Sequence, residues 1–208
     1  MKFILFVEGH TERACIPAFL KRWLDPQLMQ KVGIQAVRFE GCKDFDKGLR
    51  TKAHMHLDGP AHDDIIAVIG LLDLYGPQIY PRRLSSAHDR YEWGVRHYEQ
   101  QVGRRNFRMF FAVHEVEAWL LSQPALFPHE VQSVLPDRVV QPESVNFHEP
   151  PARLLDRLYN ASTGRSYKKT VYGKELFGRL DPAIAAQKCP YLKFMLQELL
   201  RLAQVAGL

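Results

Sequence analysis

The apolar positions of this chain fall into two kinds of run. Phe3-Ile4-Leu5-Phe6-Val7 and Ile65-Ile66-Ala67-Val68-Ile69-Gly70-Leu71-Leu72 are continuous and lack the alternation of a half-exposed strand. Such runs predict strands covered by helices on both faces, as in a parallel sheet. Over residues 12–24 the apolar side chains recur at helical spacing instead, at Ile16, Phe19, Leu20, Trp23 and Leu24, and Thr11 is the expected N-cap. The same criteria predict a strand over 34–39 after Gly33, a helix over 43–56, a helix from Ser85 or Ser86 to Val102, and a strand over 107–113. Strands alternating with helices of this length indicate parallel βαβ units with right-handed crossovers. The expected fold is therefore α/β, a mostly parallel four-stranded, Rossmann-like sheet flanked by helices over residues 1–122. After Glu115 the pattern changes. Residues 115–122 read as helical, Pro124 to Pro151 is punctuated by proline, and helices are expected near Leu154–Tyr159, over 174–180 and from Tyr191 to Val205. Residues 123–208 are expected to form a basic helical extension packed on the sheet.

Both continuous runs end in an acid. Glu8 closes the first and is followed by Gly9, Thr11 and Glu12; Asp73 closes the second, before the turn residues Leu74-Tyr75-Gly76-Pro77. In an open parallel sheet the carboxyl edge is where ligands bind, above all where strand order reverses. His114-Glu115-Val116-Glu117-Ala118-Trp119 follows the fourth expected strand directly, so Glu115 is expected at the same edge. Carboxylates crowded there repel one another unless a cation lies between them. Oxygen-only donors suit Mg2+ or Mn2+ better than zinc. One or two such ions could polarise a phosphodiester and activate water. The competing explanations are a solvated charge for Glu8 and helix-dipole complementarity for Glu115 and Glu117, worth about 0.3–1 kcal/mol each. His54, His56, His62 and Asp63 match no closed zinc spacing and read as solvated. Phe110, Phe111 and Trp119 read as core.

Composition narrows the class without naming a function. The 208 residues are 46% hydrophobic and 25% charged, ordinary for a globular protein. No apolar stretch approaches the roughly 20 residues that span a bilayer. Glu8-Gly9-His10 cuts short the only signal-like start, and Cys15, Cys42 and Cys189 lack both pairing and CxxC spacing. A cytoplasmic protein with reduced thiols and no membrane association is expected. Net charge is +5, and it is unevenly placed: residues 151–208 carry 10 Lys+Arg against 4 Asp+Glu, while residues 1–150 are almost balanced. That asymmetry favours a polyanionic partner, nucleic acid being the commonest, over a merely solvated basic surface. Tyr167-Lys168-Lys169 and Gly173-Lys174 could supply cations for phosphate.

Neither GxxxxGK[ST], nor a strand-borne GxGxxG, nor GxSxG occurs, which disfavours P-loop, dinucleotide-binding and serine-hydrolase chemistry. The ordered set Phe6-Val7-Glu8-Gly9-His10-Thr11-Glu12 and Leu72-Asp73-Leu74-Tyr75-Gly76 resembles the TOPRIM superfamily. With His114-Glu115-Val116-Glu117-Ala118-Trp119-Leu120-Leu121, Tyr167-Lys168-Lys169 and Cys189-Pro190-Tyr191-Leu192-Lys193-Phe194, it resembles a compact bacterial TOPRIM-like family of unknown function, the DUF4276 type. That family includes effector subunits of PARIS-type antiphage systems. The resemblance implies a TOPRIM-like core and a Mg2+-dependent nuclease acting on RNA or DNA in antiphage defence. By likeness Glu8 is the TOPRIM glutamate, Asp73 the first aspartate of the DxD metal motif, and Glu12 the second acid of OLD-type nucleases. Tyr75 stands where the second aspartate belongs, and Glu115 or Glu117 could supply that ligand. The expected metal set is Glu8, Asp73, Glu115 and Glu117. Glu8, Glu12, Asp73, Lys168 and Lys169 are the expected catalytic residues. Arg165, Lys168, Lys169 and Lys174 are the expected nucleic-acid contacts. The resemblance also implies an ABC-type ATPase partner, and a homodimer is a further expectation. The rival expectation is a non-catalytic nucleic-acid-binding or regulatory subunit on the same scaffold.

Overall fold

The computed structural model describes residues 1–144 and 149–208; residues 145–148, part of the proline-punctuated stretch, lie outside the described residues. The first two thirds alternate β1 (Lys2–Val7), α1 (His10–Leu24), β2 (Gly33–Arg38), α2 (Cys42–Leu57), β3 (Ile65–Asp73), α3 (Ala87–Val102) and β4 (Phe107–Ala112). All four strands pair in parallel, in the order β2-β1-β3-β4. The chain moves outward from β1 to β2, then crosses back past β1 to lay down β3. Strand order therefore reverses between β1 and β3, where the helices diverge to opposite faces and leave a crevice. The α/β expectation is met.

Two ends show how local chemistry sets the boundaries. Ser86 caps α3, its side chain accepting from the Asp89 N–H at 3.0 Å. At α1 the expected Thr11 cap is replaced by Gly9, which offers no side-chain bond, and Thr11 is buried inside the first turn. The backbone of Gly173 passes so close that a β-carbon there would lie 3.1 Å from Thr11 Cγ2. Thr11 thus packs against a distant segment instead of capping its own helix.

The sheet separates two apolar layers. Phe3, Leu5 and Val7 of β1 join Ala67, Ile69 and Leu71 of β3 in one cluster, with Ile16, Phe19 and Leu20 of α1. Ile4 and Phe6 join Val68 and Leu72 in the other, with Phe45 and Leu49 of α2 and Tyr98 of α3. Successive strand residues point to opposite faces, so a strand buried on both sides shows no alternation in its sequence.

After β4 come α4 (Glu117–Leu121), α5 (His129–Gln132), α6 (Pro151–Thr163), a π-helical turn at Lys169–Gly173, α7 (Lys174–Arg179), α8 (Pro182–Lys188) and α9 (Pro190–Val205). Helix α6 is longer than expected. Helix α8 was not expected, although Asp181-Pro182 is a cap followed by proline: the Asp181 side chain accepts from the Ala183 N–H at 2.8 Å. Leu154, Leu176, Phe177, Leu192 and Leu196 belong to the same apolar cluster as Phe3 and Leu5. Phe110, Phe111 and Trp119 are buried, as expected of core. Among the described residues, no helix is long and apolar enough to cross a membrane.

Candidate active site

Val7 lies opposite Leu71 in the β1–β3 register, so Glu8, just past β1, and Asp73, the last residue of β3, leave adjacent strands one step out of line. Both line a cavity of about 280 Å³ at the switch point, together with Glu12, Val116, Lys169 and Thr170. The alternation along each strand sends them to different faces. Continuing Phe6 points Glu8 toward α2, whereas continuing Leu71 points Asp73 toward α1 and the C-terminal helices.

Their contacts follow that division. Lys169 Nζ lies 3.7 Å from Asp73 Oδ2, 3.6 Å from Glu12 Oε1 and 3.0 Å from Glu117 Oε2. Carboxylates from β3, α1 and α4 thus meet one ammonium carried on the π-helical turn. Asp73 is further fixed because its Oδ1 accepts from the Val116 N–H at 3.0 Å. Glu117 is fully buried, and beyond the Lys169 ion pair neither of its oxygens has a hydrogen-bond partner among the described residues. Burial pushes the Glu117 carboxyl up to about 7 even against the attraction of Lys169. Asp73 is raised well above the usual carboxylate range by burial, with Glu117, Glu12 and Glu115 adding repulsion that Lys169 opposes. Burial alone would depress Lys169, but Asp73, Glu117 and Glu12 outweigh it and hold the ammonium firmly protonated.

Glu8 sits at the other side of the cavity. The Cys42 thiol, in the first turn of α2, donates to Glu8 Oε2 at 3.0 Å. Burial and that bond both push the thiol pKa up, so Cys42 acts here as a donor and not as a nucleophile. Two glycines keep the acids in place by leaving room. A β-carbon on Gly76 would lie 2.6 Å from Cys42 Sγ and 3.1 Å from Glu8 Oε2, and one on Gly9 would lie 2.0 Å from Glu12 Oε2.

Glu115 takes a different post. Its Oε2 accepts from the Ala152 N–H at 2.9 Å, at the start of α6, so it serves the N-terminus of a distant helix and not that of the 115–122 segment to which it belongs. Arg165, Lys168 and Lys174 are exposed on the segment flanking Lys169. The histidine group disperses: a His54 ring nitrogen lies 2.9 Å from the Val102 carbonyl, His62 pairs with Asp63 at 3.2 Å, and His56 lies against Phe6 at 5.8 Å between ring centroids. Among the described residues, no three His, Cys, Asp or Glu side chains are arranged to enclose one ion. Cys42 was not anticipated, and a glycine-cysteine pair opening a helix is a weak signal. Lys169 was anticipated as a phosphate cation but not as the common partner of three acids.

A family model described as a domain of unknown function, DUF4276, matches residues 7–200, a span containing every acid and cation named above. The chain belongs to that family. This DUF4276 protein is also similar in structure to the C-terminal region of the Burkholderia pseudomallei OLD protein, with 19% identity, a TM-score of 0.47, and coverage of 99% of this chain and 98% of that one. The C-terminal region of the Xanthomonas campestris pv. campestris OLD protein is similar at 17% identity and a TM-score of 0.40, covering 94% and 96%. A comparison with curated proteins gives no match.

Proposed function

We propose that this DUF4276 protein is a Mg2+-dependent nuclease that hydrolyses phosphodiester bonds of RNA or DNA. The observation that carries the proposal is the convergence of Glu12, Asp73 and Glu117 on Lys169 at the switch point, with Glu8 in the same cavity. Three carboxylates against one ammonium leave an excess of negative charge in a largely buried place, and the donors are all oxygen. Oxygen donors suit a hard divalent cation, and beyond Lys169 the buried Glu117 carboxyl has no hydrogen-bond partner among the described residues. As they stand these acids surround Lys169 and enclose no ion, so Asp73, Glu117 and Glu12 would hold one only after Lys169 swings out toward the phosphate, with Glu8 beside it. When bound, a divalent cation supplies Lewis-acid polarisation of the phosphate and lowers the pKa of water. The chain's own part is to hold Asp73 through the Val116 N–H, to hold Glu8 through Cys42, and to deliver the Lys169 ammonium to phosphate charge. Lysine suits that transfer, being a point charge on a flexible stem. Arg165, Lys168 and Lys174 would attract the nucleic-acid backbone beside it. The motif resemblance to TOPRIM proteins favours the same chemistry, and the closer likeness to the DUF4276-type family favours an antiphage role and an ATPase partner.

The deciding measurement is cleavage of single- and double-stranded RNA and DNA with Mg2+. Asp73→Ala and Glu8→Ala should each abolish it while the circular dichroism spectrum stays unchanged. Retained cleavage in both variants removes the proposal. A second function, a non-catalytic nucleic-acid binder, is favoured by Tyr75 at the second DxD position and by the central place of Lys169 among the acids. Under it, salt-sensitive binding persists in EDTA and no substrate is cut.

A further inference from the structure

We infer that the groove between the end of β2 and the first half of α2 is a phosphate track, along which the nucleic-acid backbone leaves the acidic cavity. The inference rests on the nuclease proposal for the identity of the polyanion, and on separate geometry for its path. Arg38 closes β2, while Lys43, Lys47 and Lys52 lie on α2. With Glu40 and Asp44 they line a groove of about 600 Å³. Because the strands run parallel, the chain leaving β2 emerges at the same edge as Glu8 and Asp73. Arg38 stands opposite Val7 in the register, and Val7 is the residue before Glu8.

The groove connects to the acidic cavity. A third cavity, about 460 Å³, lies between them, sharing Glu8 with the acidic cavity and both Glu40 and Lys43 with the groove. A series of adjoining hollows therefore runs from Lys169, past Glu8, to Lys43 and on to Lys47 and Lys52. The acids of the joining cavity are engaged: Glu8 accepts from the Cys42 thiol and Asp46 from the Tyr98 hydroxyl. Gly41 has no side chain with which to cap the 16-residue α2, so the first N–H groups of that helix are left for an anion entering there.

In the groove itself four cations face two acids, and both acids already have partners. Glu40 pairs with Arg38 at 3.2 Å, and Asp44 pairs with Lys52 at 3.8 Å and accepts the Glu40 N–H at 3.0 Å. Lys43 and Lys47 are exposed and make no ion pair or hydrogen bond among the described residues. Four positions apart, they leave one face of α2 with β-carbons about 5–6 Å from each other, close to the step between successive phosphates of a strand. Beneath them the Lys52 ammonium lies 4.0 Å from the centroid of the fully buried Phe39 ring. Gly48 lets α2 rest on that ring, since a β-carbon there would lie 3.2 Å from Phe39 Cε1. None of these groups reads a base edge, so the ligand is the phosphodiester backbone of any sequence. With the exposed cations around Lys169, the track grips a strand on both sides of the cavity.

The test measures binding of the full chain in EDTA, across a salt titration, to fluorescein-labelled twenty-nucleotide strands of DNA and RNA and to the DNA duplex, each in several sequences. The double variant Lys43→Gln/Lys47→Gln should weaken binding by a similar factor for every sequence. It should also flatten the slope of log affinity against log salt by about 1.4 for strands or about 1.8 for duplex, the loss of two phosphate contacts. Lys31→Glu makes the same change in net charge at an exposed residue just before β2, at the opposite edge of the sheet, and should leave the slope as in wild type. An unchanged slope in the double variant overturns the inference, as does an equal loss in Lys31→Glu, which makes the effect one of net charge. If wild type still cuts with Mg2+, either result removes the track alone. If wild type neither binds nor cuts any of these nucleic acids, the nuclease proposal fails and the track loses its ligand with it.

Discussion

Glu117→Gln should make the metal-free protein more stable above neutral pH while removing its activity. The ordinary glutamate pKa of 4.5 is pushed up to about 7 in the fold, chiefly by burial, and that value already includes the opposing attraction of Lys169. Between those two values the folded state binds more protons at this site than the unfolded state, so stability falls as pH rises through the window. A displacement of this size corresponds to about 3 kcal/mol once the site is fully ionised. Glutamine keeps the shape and removes the charge, and Lys169 retains Asp73 and Glu12 as partners. The two proteins should therefore be nearly equal in stability at pH 5, with the variant gaining about 2–3 kcal/mol by pH 8. Since 1 kcal/mol moves the Tm of a chain this size by about 2–4 °C, the variant should melt roughly 4–12 °C higher. Urea denaturation in EDTA across this pH range reads the difference directly. Taking the difference between the two profiles cancels Glu143, which burial also pushes up to about 7. A flat difference profile, or a variant no more stable than wild type at pH 8, would refute the account of Glu117 as an electrostatic cost retained for function.

Three further outcomes follow from the same geometry. Lys169→Met should destabilise the protein at pH 8 by roughly 1–3 kcal/mol by urea titration, less than the about 3–5 kcal/mol for breaking a fully buried pair, because the lysine side chain is 34% exposed. Gly9→Ala should leave the Tm almost unchanged, since the backbone at φ −111° accepts alanine, yet displace Glu12 from its place 2.0 Å from the new methyl. Initial rates of Mg2+-dependent cleavage should then fall by about 10- to 100-fold, as for other misplacements on the scale of an ångström. Glu143→Ala should cost about 1–2 kcal/mol in urea denaturation, because the carboxylate accepts from the Tyr191 and Leu192 N–H groups at 3.0 and 3.2 Å and so caps α9.

Much of this protein is written along the chain. The two uninterrupted apolar runs, each ending in an acid, are enough to predict buried parallel strands and to place Glu8 and Asp73 at one edge. Helical periodicity locates α1, α2 and α3 to within a few residues, because those helices each bury a single stripe against the sheet. The sequence narrows the α3 cap to Ser85 or Ser86, and Ser86 takes it, because capping is local; Thr11 fails as a cap because a segment about 160 positions away packs against it.

Tertiary structure decided the rest, and strand parity is the clearest reason. A strand buried on both faces hides in its sequence which side each residue meets, so nothing in Phe3–Val7 or Ile65–Leu72 shows that Glu8 and Asp73 diverge. Only the stacked layers reveal that Glu8 meets Cys42 while Asp73 meets Lys169. The gathering of Glu12, Asp73, Glu117 and Lys169 spans most of the chain, and long-range charge pairing leaves no periodic trace for a sequence to display. Glu115 and Glu117, two residues apart, likewise part company where the chain turns into α4, one capping α6 and the other buried against an ammonium. Sequence alone set the edge at which the acids arrive, because burial patterns are local; the fold chose their partners, because a partner is a matter of distance in space.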